Sequence, residues 1–366
     1  MSEPAFLAAD RAFMTLALAL AERGLFTTTP NPRVGCVLVK DGRVIGEGFH
    51  ERAGLPHAEV NAIADAKARG HDPRGATLYV NLEPCNHTGR TPPCTDAVVA
   101  AGIARVVAAM ADPNAQAACG AERLRAAGIA VDIGIEEAAA RELNAGFISR
   151  MTRGRPWVRV KVAASLDGRT ALDNGQSRWI TGDEARADGH RFRARACAVL
   201  TGIGTVRADD PALTVRAIET PRQPLRVVID PRAQTPGSAK VLAGEGAIVV
   251  TAGDRNPAWP STVEMLSLPD ADGRIDLARL MHALAERGVN EVHVEAGARL
   301  NGALVAAALV DEWLIYVAPA LIGDPARGIV ERREPLGDLA SRAVLAITTC
   351  DRIGDDLRII ARTREN

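Results

Sequence analysis

The apolar positions of the chain switch repeatedly between helical and strand spacing. Asp10–Arg23 repeats with a helical period. Val34–Lys40 and Arg43–Phe49 read as strands, and Asp41-Gly42 between them is a strong two-residue hairpin signal. An Ala-rich helix is expected over His57–Arg69 and a short apolar strand over Thr77–Asn81. After a loop with Gly89, Pro92 and Pro93, Cys94 opens a helix to about Ala101. Strands at Arg105–Met110 and Ala130–Ile133 flank a helix at Glu122–Ala127, and Glu136–Ser149 reads as one further helix.

Arg150–Pro156 is basic, holds Gly154 and Pro156, and has no hydrophobic period. A domain boundary is expected there, giving domains 1–150 and 151–366. Beyond it strands are expected at Trp157–Ala164, Ala198–Thr201, Leu225–Asp230, Ala247–Thr251, Glu291–Glu295 and Glu312–Val317. Helices are expected at Asp183–Arg195, from Thr205, at Leu277–Arg287, and from Gly297 through Ala308. Strands alternating with helices predict an α/β protein with mostly parallel sheets in both halves. A chain of 366 residues fits two cores better than one.

Composition narrows the partners. A formal net charge of −1 and only 3% aromatic residues give no field or stacking platform for a polynucleotide. No nucleic-acid partner is therefore expected. Phe13–Ala21 is apolar, but Glu3, Asp10 and Arg11 precede it, which is not a basic leader region. It reads as a helix, and no stretch nears the ~20 apolar residues of a membrane span. Six cysteines in a chain this long are no disulfide scaffold, and two of them near His57 suggest metal thiolates in a reducing cytoplasm.

The chemistry gathers in the first half. His57-Ala58-Glu59 is followed by Pro84-Cys85 and, after eight intervening residues, by Cys94. A catalytic zinc takes three protein ligands and keeps one position open. His57, Cys85 and Cys94 supply that set. Glu59, two residues from His57 at the start of a helix, would reach a zinc-activated water without becoming a ligand, and would carry its proton as base and then acid. H-x-E with P-C is the signature of zinc deaminases, here with a longer gap to the second cysteine. The bland alternative is a closed structural site with His87 as fourth ligand. A tRNA or nucleobase deaminase joined to an unrelated partner domain is a second alternative.

Longer strings carry a resemblance. Gly54 to Val60, Thr77 to Cys94 with its Gly-Arg-Thr-Pro-Pro-Cys ending, and Asn31-Pro32-Arg33-Val34-Gly35 resemble the bifunctional deaminase–reductase family of riboflavin biosynthesis. So do Lys161 to Gly168, Ser177 to Gly182, Gly204 to Arg216 and Val294 to Gly297, in the family's order over most of the chain. The resemblance implies a cytidine-deaminase-like α/β/α domain followed by a dihydrofolate-reductase-like α/β domain. It implies zinc in the first and NADPH in the second. It also implies two consecutive reactions: hydrolytic deamination of a diamino-pyrimidinone bearing a phosphoribosylamino arm, then reduction of the ribosyl chain to ribityl. It suggests a homo-oligomer.

Carried over residue by residue, Asn31 hydrogen-bonds the pyrimidine. Ala163, Trp179, Thr205, Asp209 and the run Gly297, Ala298, Arg299, Leu300, Asn301 and Gly302 contact NADPH. Ser177, Arg193, Leu213, Arg216 and Glu295 contact the second substrate, with Arg193 and Arg216 as a phosphate clamp. Lys161 is the candidate for the reducing chemistry. Read without the resemblance, Gly202-Ile-Gly204 is an ordinary turn as readily as a dinucleotide loop, because Arg207 stands where a third glycine would. Cys197 stands where many members have Asp, and Ala296 where many have Gly.

Overall fold

A computed structural model describes residues 8–323 and 325–364. The chain divides into two compact units between Gly154 and Arg155.

The first unit runs α1 (Ala8–Glu22), β1 (Gly35–Lys40), β2 (Arg43–Phe49), α2 (Ala58–Ala68), β3 (Thr77–Val80), α3 (Cys94–Ala100), β4 (Arg105–Ala108), α4 (Gly120–Ala126), β5 (Ala130–Ile133), α5 (Glu137–Leu143) and α6 (Ala145–Arg153). Among the described residues its sheet has five strands, ordered β2-β1-β3-β4-β5. β1 pairs antiparallel with β2 and β3, while β3, β4 and β5 are parallel. The expectation of a mostly parallel sheet is thus corrected here: the Asp41-Gly42 hairpin, with both residues at positive φ (52° and 73°), turns the first pair antiparallel. Helices cover both faces. A Cβ on Gly35 would strike Ala17 of α1, whereas one on Gly48 would lie 2.4 Å from the Ala62 nitrogen of α2. Glycine in β2 therefore lets α2, which carries Glu59, lie tight on the strand.

The single helix expected over Glu136–Ser149 is two. The break is at Asn144 (φ −111°, ψ 19°). Its amide accepts from the Arg33 N–H at 2.8 Å and donates to the Arg33 carbonyl at 3.0 Å, so the helix yields to a buried backbone clamp. Arg150 to Arg153, expected to be linker, continue α6, which buries Gly146, Phe147 and Ser149.

The second unit runs β6 (Trp157–Ser165), α7 (Asp183–Arg195), β7 (Ala198–Gly202), α8 (Ile203–Asp209), β8 (Leu225–Ile229), β9 (Ala247–Thr251), β10 (Glu264–Ser267), α9 (Leu277–Glu286), β11 (Glu291–Val294), α10 (Ala298–Ala306), β12 (Glu312–Ala318), β13 (Leu345–Ile353) and β14 (Asp356–Thr363). Its sheet, nine strands among the described residues, is ordered β10-β9-β8-β7-β11-β6-β12-β14-β13. All pairs are parallel up to β12; β14 and β13 then add antiparallel. Three strands, β10, β13 and β14, escaped the hydrophobic pattern. β13 is largely exposed, so it shows no buried alternation to read.

Candidate active sites

In the first unit two loops bring three ligands together. His57 caps α2 and Cys94 opens α3, so both sit at helix starts. Cys85 follows β3 in the Glu83-Pro84-Cys85 loop. The Glu83 carboxylate fixes that loop by accepting the N–H groups of Asp112 (3.1 Å) and Ala121 (2.8 Å). The ligand atoms of His57, Cys85 and Cys94 all lie within 4.8 Å of one another. His57 Nδ1 is 3.1 Å from Cys94 Sγ and 3.6 Å from Cys85 Sγ, while Thr91 Oγ1 meets its Nε2 at 3.3 Å. Hydrogen bonding by Cys94 and His57 draws the Cys85 thiol down to about 4, and Cys94 is correspondingly pushed up. One imidazole and two thiolates at this separation fit zinc with a position left open. His87 is not part of the cluster, so it does not close the site.

Glu59 lies in the first turn of α2, buried, and its Oε2 has no hydrogen-bond partner. Burial, reinforced by the charge of Cys85, raises it to about 7. Asn31 is held by His50: His50 Nδ1 lies 3.1 Å from the Pro56 carbonyl, and its Nε2 lies 3.0 Å from Asn31 Nδ2. Burial disfavours the charged ring, and with a carbonyl at Nδ1 and an amide nitrogen at Nε2 the neutral ring donates from Nδ1 and accepts at Nε2. Asn31 Oδ1 is left as the acceptor a ring amino group can use. Asn31 and Glu59 line one cleft of about 620 Å³ with His57 and Cys85. His87, Arg90 and Asp112 also line it. His87 and Arg90 come from the loop between Cys85 and Cys94, and Asp112 from beyond β4, so no local spacing marks the three as neighbours.

In the second unit Arg193, Glu295 and Lys161 come together near the ends of β6 and β11, on the side where open parallel sheets bind nucleotides. Arg193 of α7 grips Glu295, after β11, through Nε (2.7 Å) and Nη2 (2.8 Å), and its Nη1 donates to the Thr214 carbonyl at 2.6 Å. Burial would raise Glu295, but Arg193 and His293 hold it well below the usual carboxylate range. Burial also lowers Lys161 of β6, against the pull of Glu295. Beneath them Arg159 is buried between Glu291 and Glu312.

The cofactor residues form a second group. Thr205 and Asp209 lie on α8 after β7; Gly297 caps α10 after β11. A Cβ on Gly204 or Gly297 would meet only open space, and one on Gly202 would touch Leu300 at 3.5 Å. The first turns of the two helices thus lie side by side with room above their backbones, which fits a dinucleotide. Trp179, 69% exposed, is stacked under Arg186 at 4.4 Å. Arg299 is engaged by Glu331 at 3.1 Å. Asn301 is buried and donates to the Ile329 carbonyl, and a Cβ on Gly302 would lie 1.9 Å from the Glu331 carbonyl, so these two hold a loop against α10. Leu213 is buried with Val199 and Val206. Ala163 lies on β6 beside Tyr316, and Ser177 lies in the loop before α7.

Residues 7–110 match the family described as cytidine and deoxycytidylate deaminase zinc-binding region, and residues 156–357 match the RibD C-terminal domain. The chain is 49% identical over 335 residues to riboflavin biosynthesis protein RibD of Escherichia coli K12, covering 87% of this chain and 90% of that protein. It is 43% identical over 338 residues to the protein of the same name from Aquifex aeolicus, covering 92% of each. Among solved structures, Acinetobacter baumannii RibD matches with a TM-score of 0.88 at 41% identity, over 98% of this chain and 99% of that one. The Thermotoga maritima diaminohydroxyphosphoribosylaminopyrimidine deaminase/5-amino-6-(5-phosphoribosylamino)uracil reductase matches with a TM-score of 0.89 at 36% identity, over 97% and 99%.

Proposed function

Since this chain belongs to the RibD family of riboflavin-biosynthesis proteins, we propose that the two residue clusters described above are its two active sites. The protein is a bifunctional enzyme, a zinc-dependent deaminase followed by an NADPH-dependent reductase. It deaminates diaminohydroxyphosphoribosylaminopyrimidine and then reduces 5-amino-6-(5-phosphoribosylamino)uracil at its ribosyl chain. We assign the first reaction to residues 1–150 and the second to residues 151–366.

The observation that carries the deaminase assignment is the buried Glu59 carboxylate beside the three-ligand cluster, with its Oε2 left without a hydrogen-bond partner. When bound by His57, Cys85 and Cys94, zinc supplies the Lewis acidity that makes water nucleophilic at neutral pH. Asn31 orients the pyrimidine through Oδ1. Glu59, buried beside the cluster, both takes and returns a proton. It accepts one from the attacking water as the new C–O bond forms. It delivers that proton to the nitrogen as the C–N bond breaks and ammonia leaves.

In the reductase unit NADPH supplies the hydride. Ala163, Trp179, Thr205, Asp209, Arg299 and the backbone from Gly297 to Gly302 hold it. Ser177, Arg193, Leu213, Arg216 and Glu295 hold the substrate. The Lys161 ammonium, weakened by burial, stands beside Glu295 as the group that gives a proton to the opening ribosyl chain.

The test is ammonia release from the diaminopyrimidine phosphate followed by NADPH oxidation. Glu59→Gln is expected to lower ammonia release about 10²–10⁴-fold. Its zinc content, and reduction of the deaminated intermediate supplied directly, should stay at wild-type level. Full ammonia release by that variant refutes the assignment.

Among the described residues no helix is long and apolar enough to cross a membrane. We place the enzyme in the cytoplasm, where the Cys85 and Cys94 thiols stay reduced, and without nucleic-acid or membrane partners. We also read it as a homo-oligomer; the exposed edge strand β13, with Ile347 outward, supports that reading. Sedimentation at equilibrium tests it, and a monomer mass refutes it.

A further inference from the structure

The polar cluster of the second unit holds one side chain that neither the motifs nor the chemistry above has used. His190 lies on α7 one turn before Arg193, so the two share a face of the helix. Its Nδ1 accepts the backbone N–H of Arg216 at 3.3 Å. That bond settles the tautomer of the neutral ring: the proton sits on Nε2, which remains as a donor. The charged groups that face the ring are Lys161 from β6, Arg193 from α7, Arg216 from the loop after α8 and Glu295 from the end of β11. Burial first, then Arg193, Arg216 and Lys161 against the opposing pull of Glu295, lowers the imidazole to about 4. It is uncharged at neutral pH. The ring is only half-buried and so is within reach of a ligand.

Arg193, the expected partner of Arg216 in a phosphate clamp, commits three of its five N–H groups within the protein and keeps two for the substrate. All three of its guanidinium nitrogens are bonded to Glu295 and Thr214. The Arg216 side chain is exposed, and His190 holds that residue's own backbone. We propose that His190 Nε2–H and the Arg216 guanidinium together form the subsite for the phosphate of the reductase substrate, His190 as a neutral directional donor and Arg216 as the charge. The proposal rests on the assignment of reductase chemistry to the second unit. A neutral donor adds a hydrogen bond to a phosphate oxygen without adding one more cation to a cluster that already holds Lys161, Arg193 and Arg216.

Two substitutions separate this role from a structural one. His190→Asn keeps an acceptor near the Nδ1 position for the Arg216 N–H but removes the Nε2 donor. His190→Gln reaches the Nε2 position with an N–H but gives up the Nδ1 contact. On the full-length protein, KM is measured for the phosphorylated ribosylaminouracil and for its dephosphorylated counterpart, with NADPH affinity followed by fluorescence quenching.

His190→Asn is expected to raise KM for the phosphorylated substrate about ten- to a hundredfold. Its kcat, its NADPH affinity and its KM for the dephosphorylated substrate should stay near wild type. His190→Gln should recover most of the loss. Inorganic phosphate should also raise the His190 pKa in a histidine-resolved NMR titration, since a nearby anion favours the protonated ring. The proposal fails if His190→Asn behaves as wild type, if it weakens both substrates equally, or if phosphate leaves the His190 titration unmoved. A wild-type chain that does not oxidise NADPH with the intermediate overturns the reductase assignment and this subsite with it.

Discussion

Arg193 and Glu295 are each part-buried and each neutralise the other. Burial pushes the Glu295 carboxyl up, and Arg193 and His293 outweigh it, so the group is ionised well below the usual carboxylate range. Removing the guanidinium lets burial win. In Arg193→Ala the Glu295 pKa rises, and the carboxylate form that Arg193 preserved at mildly acid pH is lost. The acidic limb of the reductase pH profile should therefore move toward neutrality, with KM for the uracil substrate raised more than tenfold. A limb that stays in place would show that Arg193 does not hold Glu295. The first site was more legible than this one. His57, Glu59, Cys85 and Cys94 announce themselves because their spacing is local and metal chemistry restricts the donor set. That Arg193 grips Glu295, or that His190 meets Arg216, depends on contacts across 102 and 26 residues of chain, which no period records.

At the scale of elements, the break between α5 and α6 places the substrate loop. Asn144 and Asn81 hold the backbone of residues 33–35 from two sides: Asn144 bonds both polar groups of Arg33, and Asn81 bonds the Arg33 carbonyl and the Gly35 N–H. Asn31 sits two residues before this clamp. Asn144→Ala removes the Oδ1 acceptor of the buried Arg33 N–H, a loss of about 1–3 kcal/mol. Thermal unfolding should record that loss in the first unit. KM for the diaminopyrimidine should rise while reductase kinetics stay constant, and an unchanged KM would mean the clamp does not place Asn31.

The hydrophobic pattern found most elements because they are short apolar runs buried almost throughout, as in β1, or because a turn signal such as Asp41-Gly42 marks them. It ran α5 and α6 together because Asn144 is polar for a tertiary reason. It missed β13 because Thr348, Thr349, Cys350, Asp351 and Arg352 are exposed on an edge strand that nothing in their order requires.

Across the whole molecule each unit has, among the described residues, a main apolar cluster of its own, and the second adds further clusters around Val199, Val228 and Val249 and around Leu314 and Tyr316. The main cluster of the first unit is built on β1, β3 and β4 with Met14, Leu78 and Val106; that of the second on β6, β7 and β11 with Val160, Leu200 and Val292. Among the described residues the one three-residue His and Cys cluster lies in the first unit. Stripping the metal from the intact protein with a strong chelator should abolish ammonia release and leave reduction of supplied intermediate within about twofold of its starting rate. Added zinc should restore the first activity, and parallel loss of both would mean that the reductase also depends on the metal.

The division of a single chain between Gly154 and Arg155 also fixes supply. Every translated copy delivers one deaminase site and one reductase site, whatever the level of expression. A change in dosage multiplies both equally, so the ratio of the two catalytic capacities is set by the two turnover rates and not by the level of expression.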